Sequence, residues 1–95
     1  EEIISQVETI DVREPAEFNG ALGHIRGAKL IPLGELKQRA GEISRDKPVV
    51  TVCRSGARSA QAVVMLQKEG FRDIANLHGG MLRWRAEGYG AEGGN

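Results

Sequence analysis

A run of β-favouring apolar character, Val49-Val50-Thr51-Val52, stops at Cys53 and gives way at once to Arg54-Ser55-Gly56-Ala57-Arg58-Ser59. The run reads as a buried strand, and the apolar spacing from Ala60 to Leu66 that follows reads as a helix. A strand feeding a helix through so short a loop constrains the chain strongly. It is the first half of a parallel crossover unit, which needs helices packed on the sheet that the strand joins.

Other segments repeat the alternation. Thr9-Ile10-Asp11-Val12 reads as a strand, and Pro15 is placed to open a short helix through Ala16, Glu17 and Phe18 that ends near Asn19-Gly20. Gly23-His24-Ile25-Arg26-Gly27-Ala28 is a turn-rich loop before a brief strand, Lys29-Leu30-Ile31, closed by Pro32. Leu36, Ala40 and Ile43 share one face of a helix expected over Leu33 to Ile43, and Lys47-Pro48 ends that segment. After the central unit, Ala60, Ala62, Val63, Val64 and Leu66 give its helix a broad apolar face, with Gly70 at the C-terminal cap. Ile74-Ala75-Asn76-Leu77 is a last short strand, and Gly79-Gly80 leads into a helix with Leu82, Trp84 and Arg85. Ile3, Ile4 and Val7 have helical spacing at the start, while the glycine-rich residues 89–95 are expected to be a flexible tail. The fold class expected is α/β, a mostly parallel central sheet with helices on both faces.

Composition bears on the partners. The 95 residues suffice for one domain, 1–95, with a single core. Basic and acidic side chains number 13 each, so nothing marks a nucleic-acid or membrane-surface footprint. No apolar run is long enough to span a membrane, and Glu1-Glu2 does not open a signal peptide. A lone cysteine makes neither an internal disulfide nor a zinc site, which suits a reducing compartment and a cytoplasmic location. The start without Met fits either a trimmed start or a domain cut from a longer protein.

The loop after Val52 has its own chemistry. Small residues let successive N–H groups curl toward one point at a helix N-terminus, where an anion is stabilised. A cysteine there, near Arg54 and Arg58, should ionise below the usual value of about 8.5. A cysteine closing a strand is often only a small core hydrophobe. Cys53, however, ends an apolar pattern rather than continuing it, so it is the candidate nucleophile.

Four groups of residues, in this order along the chain, resemble the rhodanese family of sulfurtransferases. They are Asp11-Val12-Arg13-Glu14 with Glu17-Phe18; Gly23-His24-Ile25-Arg26-Gly27-Ala28 with Ile31-Pro32; Cys53 to Ser59; and Leu77-His78-Gly79-Gly80 with Trp84. The resemblance implies that Cys53 takes a sulfane sulfur from a donor such as thiosulfate and passes it, as a persulfide, to cyanide or a thiol. A protein thiol such as a thioredoxin is a candidate acceptor, and no cofactor is implied. The amides of residues 54 to 58, through Ser55, Gly56 and Ala57, would hold the sulfur anion. Arg54 and Arg58 are assigned with Ser55, Gly56 and Ala57 to binding the substrate, Arg54 by attracting the donor and Arg58 chiefly by bracing the loop. Asp11, Arg13 and Ser59 are assigned to supporting the loop. His24 is read as pinning its turn, His78 as a solvated loop residue, and Phe18 and Trp84 as core aromatics. Two other readings remain open. A cysteine phosphatase or arsenate reductase uses a similar loop, though the four residues between Cys53 and Arg58 are one fewer than in related phosphatases. A non-catalytic regulatory or binding module of a larger protein is the other.

Overall fold

The computed structural model describes residues 6–93. The helical expectation for the start of the chain falls, for residues 1–5, outside them. Four strands run in parallel: β1 (Glu8–Asp11), β2 (Lys29–Leu30), β3 (Val49–Val52) and β4 (Ile74–Asn76). Their order across the sheet is β2-β1-β3-β4, so the chain builds outward from β1 on one side and then crosses to the other. The point of reversal lies between β1 and β3, and the crevice beyond the carboxyl ends of those strands is where such sheets bind ligands. Register pairs Asp11 with Val52 and Thr51 with Asn76, so the residues after Asp11, Val52 and Asn76 emerge side by side.

The helices are α1 (Pro15–Phe18), α2 (Leu36–Arg39), α3 (Ala57–Lys68) and α4 (Gly80–Ala86). Period-two alternation along the strands sends side chains to two cores. Ile10, Val12, Val49 and Cys53 pack with Leu36, Ala40, Ile43, Ala62, Leu66 and Phe71 under α2 and α3. Val52 packs with Ile25 and Met81 on the opposite face, where Leu22, Val50, Leu77 and Trp84 complete the cover. The expected α/β architecture with both sheet faces covered is what the chain adopts.

Several local expectations are corrected. The segment Leu33–Glu42 is not one helix: a single α-turn, α2, is flanked by 3₁₀ turns at Leu33–Glu35 and Ala40–Glu42. Gly34 and Gly41 weaken helix propensity there, while the spacing of Leu36, Ala40 and Ile43 still buries all three. On α3 the inward residues are Ser59, Ala62 and Leu66; Ala60 is exposed and Val64 is 50% exposed. A helix on one side of a sheet needs only a narrow stripe, and the buried Ser59 belongs to it. Phe18 is half-buried rather than core, Trp84 is half-buried where it packs on the Ile25, Val52 and Met81 core, and Phe71 is the buried aromatic. Trp84 also lies against Tyr89 and donates its ring N–H to the Gly90 carbonyl at 2.8 Å. In the glycine-rich end, His24 and Glu92 exchange backbone hydrogen bonds of 2.9 and 2.8 Å.

Candidate active site

Cys53 leaves the end of β3 and is 1% exposed. Its Sγ accepts a hydrogen bond from the Gly56 N–H at 3.0 Å and lies 3.3 Å from the Ser59 hydroxyl. The loop closes this tightly because Gly56, with φ +116°, turns the backbone back on itself just before α3 begins. Arg54, Ser55 and Ala57 are exposed around it, and Ser59 is fully buried one turn into the helix.

The outer side of the loop is held by α4. The N–H of Met81 donates to the Cys53 carbonyl at 2.9 Å and that of Leu82 to the Arg54 carbonyl at 3.0 Å. These are among the N–H groups that a helix start leaves without internal partners. With the two carbonyls turned outward, the loop amides are free to face the sulfur. The fit requires glycine at position 80: a Cβ there would stand 2.4 Å from the Cys53 carbonyl oxygen and 2.6 Å from the Arg54 carbonyl group.

Ionisation of Cys53 reflects opposing effects. Burial pushes the thiol up, but the Ser59 hydroxyl and the N–H groups of Ser59, Gly56 and Ser55 outweigh it, and the thiol ends below its ordinary value. The downward direction agrees with the sequence reading. The leading donors, however, are a hydroxyl and backbone amides rather than the arginines.

Arg58 is engaged by Glu17. Its guanidinium makes a bidentate pair with Glu17, with both N···O distances 2.7 Å. That hydrogen-bonded pairing holds the Glu17 carboxyl down at about 2. Helix α3 is thereby tied to α1 through a partner that sequence reasoning did not assign, and the guanidinium expected among the substrate-binding groups is committed to that pair.

Asp11 and Arg13 form a buried ion pair at the end of β1, with Nε to Oδ1 at 2.9 Å and Nη2 to Oδ2 at 2.7 Å. The Arg13 guanidinium also donates to the carbonyls of Glu17 and Gly23, and its backbone N–H donates to Asp11. So complete a partner set is what lets two charges sit in the interior. The pair braces residues 17–23 directly, and Glu17 in turn reaches Arg58 at the start of α3. His24 pins the same segment: its Nδ1–H donates to the Phe18 carbonyl at 2.9 Å and its ring stacks on Phe18 with centroids 3.7 Å apart. His78 is exposed.

Arg13, Glu17, Gly20, Ala21, Leu22 and Arg54 line a groove of about 350 Å³ beside the loop. Arg54 is the residue of the Cys53–Ser59 loop that lines it. Among the described residues, no three His, Cys, Asp or Glu side chains are placed to hold a metal ion.

Three contributors escaped the sequence reading: Glu17 as a partner of Arg58, Gly80 as a contact of the loop, and Asn76. The Asn76 Oδ1 accepts from the Ser59 hydroxyl, and its Nδ2 donates to the Gly56 carbonyl at 3.2 Å. An asparagine at the carboxyl end of a strand was the available signal, and the neighbour it serves is set by the sheet order.

A family model described as a rhodanese-like domain matches residues 1–87. The uncharacterized protein YqhL of Bacillus subtilis is 51% identical over 79 residues, which are 83% of this chain and 61% of YqhL. A sulfurtransferase of Allochromatium vinosum is 42% identical over 79 residues, covering 83% of this chain and 72% of that protein. Among solved structures, a rhodanese-related protein from Thermoplasma volcanium superposes with a TM-score of 0.85 at 37% identity, covering 94% of this chain and 86% of that one.

Proposed function

The chain belongs to the rhodanese-like family, and from that membership and the geometry of its loop we propose that it transfers sulfane sulfur through a persulfide on Cys53. The Cys53 thiolate attacks the outer sulfur of thiosulfate. The S–S bond breaks, its electron pair leaves with sulfite, and Cys53 carries the sulfur as a persulfide. An acceptor nucleophile, cyanide or a thiolate, then attacks the terminal sulfur and releases the Cys53 thiolate. Neither half needs an external oxidant or reductant.

The observation that carries this reading is the sulfur inside its ring of donors, with the Gly56 N–H at 3.0 Å and the Ser59 hydroxyl at 3.3 Å. Fixed amides of this kind stabilise a sulfur anion without reorganising during reaction. Sulfite is a stable leaving anion, so no general acid is called for, and Cys53 to Ser59 contains no Asp, Glu or His. Arg54, exposed at the rim of the groove, meets the charge of the donor, while Ser55, Gly56 and Ala57 contribute amides. Phosphoryl transfer fits less well, because Arg58, the cation closing the loop, is occupied by Glu17 rather than free for a phosphate. The natural acceptor we propose is a thiol, small or on a thioredoxin-like protein, in the reducing cytoplasm where an unpaired cysteine persists.

The test is the intact mass after incubation with thiosulfate, then after adding cyanide or a thiol. The expected result is a gain of one sulfur atom, lost on adding the acceptor and absent in Cys53→Ala. A chain that gains no mass at saturating thiosulfate, while its thiol remains alkylatable, refutes thiosulfate as donor. A mass gain that persists in Cys53→Ala refutes the nucleophile.

A further inference from the structure

The Ser59 hydroxyl carries one proton and faces three acceptors. They are the Cys53 sulfur at 3.3 Å, the Gly56 carbonyl at 3.2 Å and the Asn76 carboxamide oxygen. The Gly56 carbonyl is already served by the Ala60 N–H at 3.0 Å and by the Asn76 Nδ2 at 3.2 Å. Contact with that carbonyl also settles which way Asn76 faces. If the amide were reversed, its oxygen would confront the Gly56 oxygen, so the oxygen is the end left for Ser59.

We propose that Asn76 is a positioning residue that sets the reactivity of Cys53 by competing with the sulfur for the single proton of the Ser59 hydroxyl. With Cys53 as a thiol, the S–H can donate to Ser59 and Ser59 to Asn76, and every group is satisfied. Once Cys53 ionises, the hydroxyl is drawn to the sulfur, and each hydrogen bond it makes there leaves the Asn76 oxygen without its donor. Asn76 therefore restrains the thiolate from being stabilised as fully as the loop alone would allow. A thiolate held less firmly is the stronger nucleophile, since nucleophilicity falls as thiol acidity rises.

The charged side chains around Cys53 come from the loop, α3, α1 and β1. Arg54 adjoins it on the loop and is exposed. On α3, Arg58 feels the sulfur's charge from within its pair with Glu17 of α1. At the end of β1, Asp11 and Arg13 are paired with each other. From α4 the loop receives backbone N–H groups, which do not titrate.

The inference rests on reading Cys53 as the nucleophile, and its test reads thiol ionisation with no sulfur donor present. Failure of thiosulfate to load the enzyme would leave it untouched. Alkylation rate against pH gives the Cys53 midpoint in four proteins: the natural chain, Ser59→Ala, Asn76→Ala and the double variant. Ser59→Ala should raise the midpoint and Asn76→Ala should lower it by about one pH unit, the scale of one hydrogen bond to a charged group. The increase caused by Ser59→Ala should be larger in the Asn76→Ala background, where the hydroxyl is wholly committed to sulfur. Equal effects of Ser59→Ala in both backgrounds overturn the proposal, and so does a raised midpoint in Asn76→Ala, which would mean that the residue merely holds Gly56. A second measurement needs no substitution at 76. The Asn76 side-chain amide resonances should move with the same midpoint as alkylation in the natural chain, and by a much smaller amplitude in Ser59→Ala. An unchanged amplitude in Ser59→Ala refutes the shared proton.

Discussion

Gly80→Ala should damage the fold and the site together, because the first residue of α4 touches the two peptide units that shape the cysteine loop. Gly80 has φ +58°, a conformation that costs a non-glycine residue about 1–2 kcal/mol. A second cost comes from contact. The new Cβ would lie 2.4 Å from the Cys53 oxygen, so loop and helix must separate by roughly 0.6 Å even to reach 3.0 Å, the lower bound for real Cβ contacts. That separation stretches the bonds from Met81 and Leu82 to the Cys53 and Arg54 carbonyls. Strain and overpacking together come to about 3 kcal/mol, a large share of the stability of a small domain. The melting temperature should fall by about 12–24 °C. Where the chain is still folded, sulfur transfer should fall by about 100-fold, as reacting groups misplaced by a fraction of an ångström lose alignment. Gly27→Ala separates the two costs, since Gly27 has φ +84° but nothing within 4 Å of the methyl that alanine would add. It should lose only about 1–2 kcal/mol and no activity beyond that of its unfolded fraction. Thermal denaturation and steady-state transfer from thiosulfate measure both variants. If Gly80→Ala melted with Gly27→Ala and kept full activity, the contact between α4 and the loop would not be what positions the amides.

Sulfur transfer should rise with the thiolate fraction of Cys53, with a midpoint below that of an ordinary thiol, because the loop donors lower the thiol; a pH profile of single-turnover loading that titrates at or above a free thiol contradicts this. The Glu17–Arg58 pair should stabilise the fold in full above the usual glutamate value of 4.5, and that contribution should fade as pH falls toward about 2, since the folded carboxyl is the lowered one. With both side chains about one third exposed, the loss should be about 1 kcal/mol. Urea denaturation of the natural chain and Glu17→Gln should therefore differ at pH 6 and converge near pH 2, conditions chosen to bracket the transition at about 4.5 and below, and a constant difference removes the ion pair from the explanation. Arg54→Ala should raise KM for thiosulfate by about 10-fold while leaving kcat and melting temperature nearly unchanged, because Arg54 is exposed and, in the proposed reaction, meets the donor before chemistry. A fall confined to kcat would place Arg54 in the transition state instead.

Much of this protein was legible along the chain because the interactions responsible are local. The change from a short apolar run to helical spacing across Val49 to Leu66 sets strand, loop and helix, and the small residues between them allow the amides to converge on Cys53. Pro15 opens α1 where expected, and His24 pins its own turn because its acceptor, the Phe18 carbonyl, is only six residues away. The segment 33–42 was legible in what it buries but not in its helix type, since the buried spacing is satisfied by α and 3₁₀ turns alike. Exposure on α3 depends on how narrow a stripe the sheet covers, which the apolar Ala60 and Val64 do not reveal. The remaining determinants are pairings across long separations: Arg58 with Glu17 over 41 positions, and Ser59 with Asn76 over 17. No spacing announces them, because they exist only once the order β2-β1-β3-β4 sets the ends of β1, β3 and β4 side by side. The same holds for Gly80. A glycine before a helix reads as a turn, and only the packing of α4 against the Cys53 and Arg54 carbonyls makes the absence of a Cβ a requirement of the site.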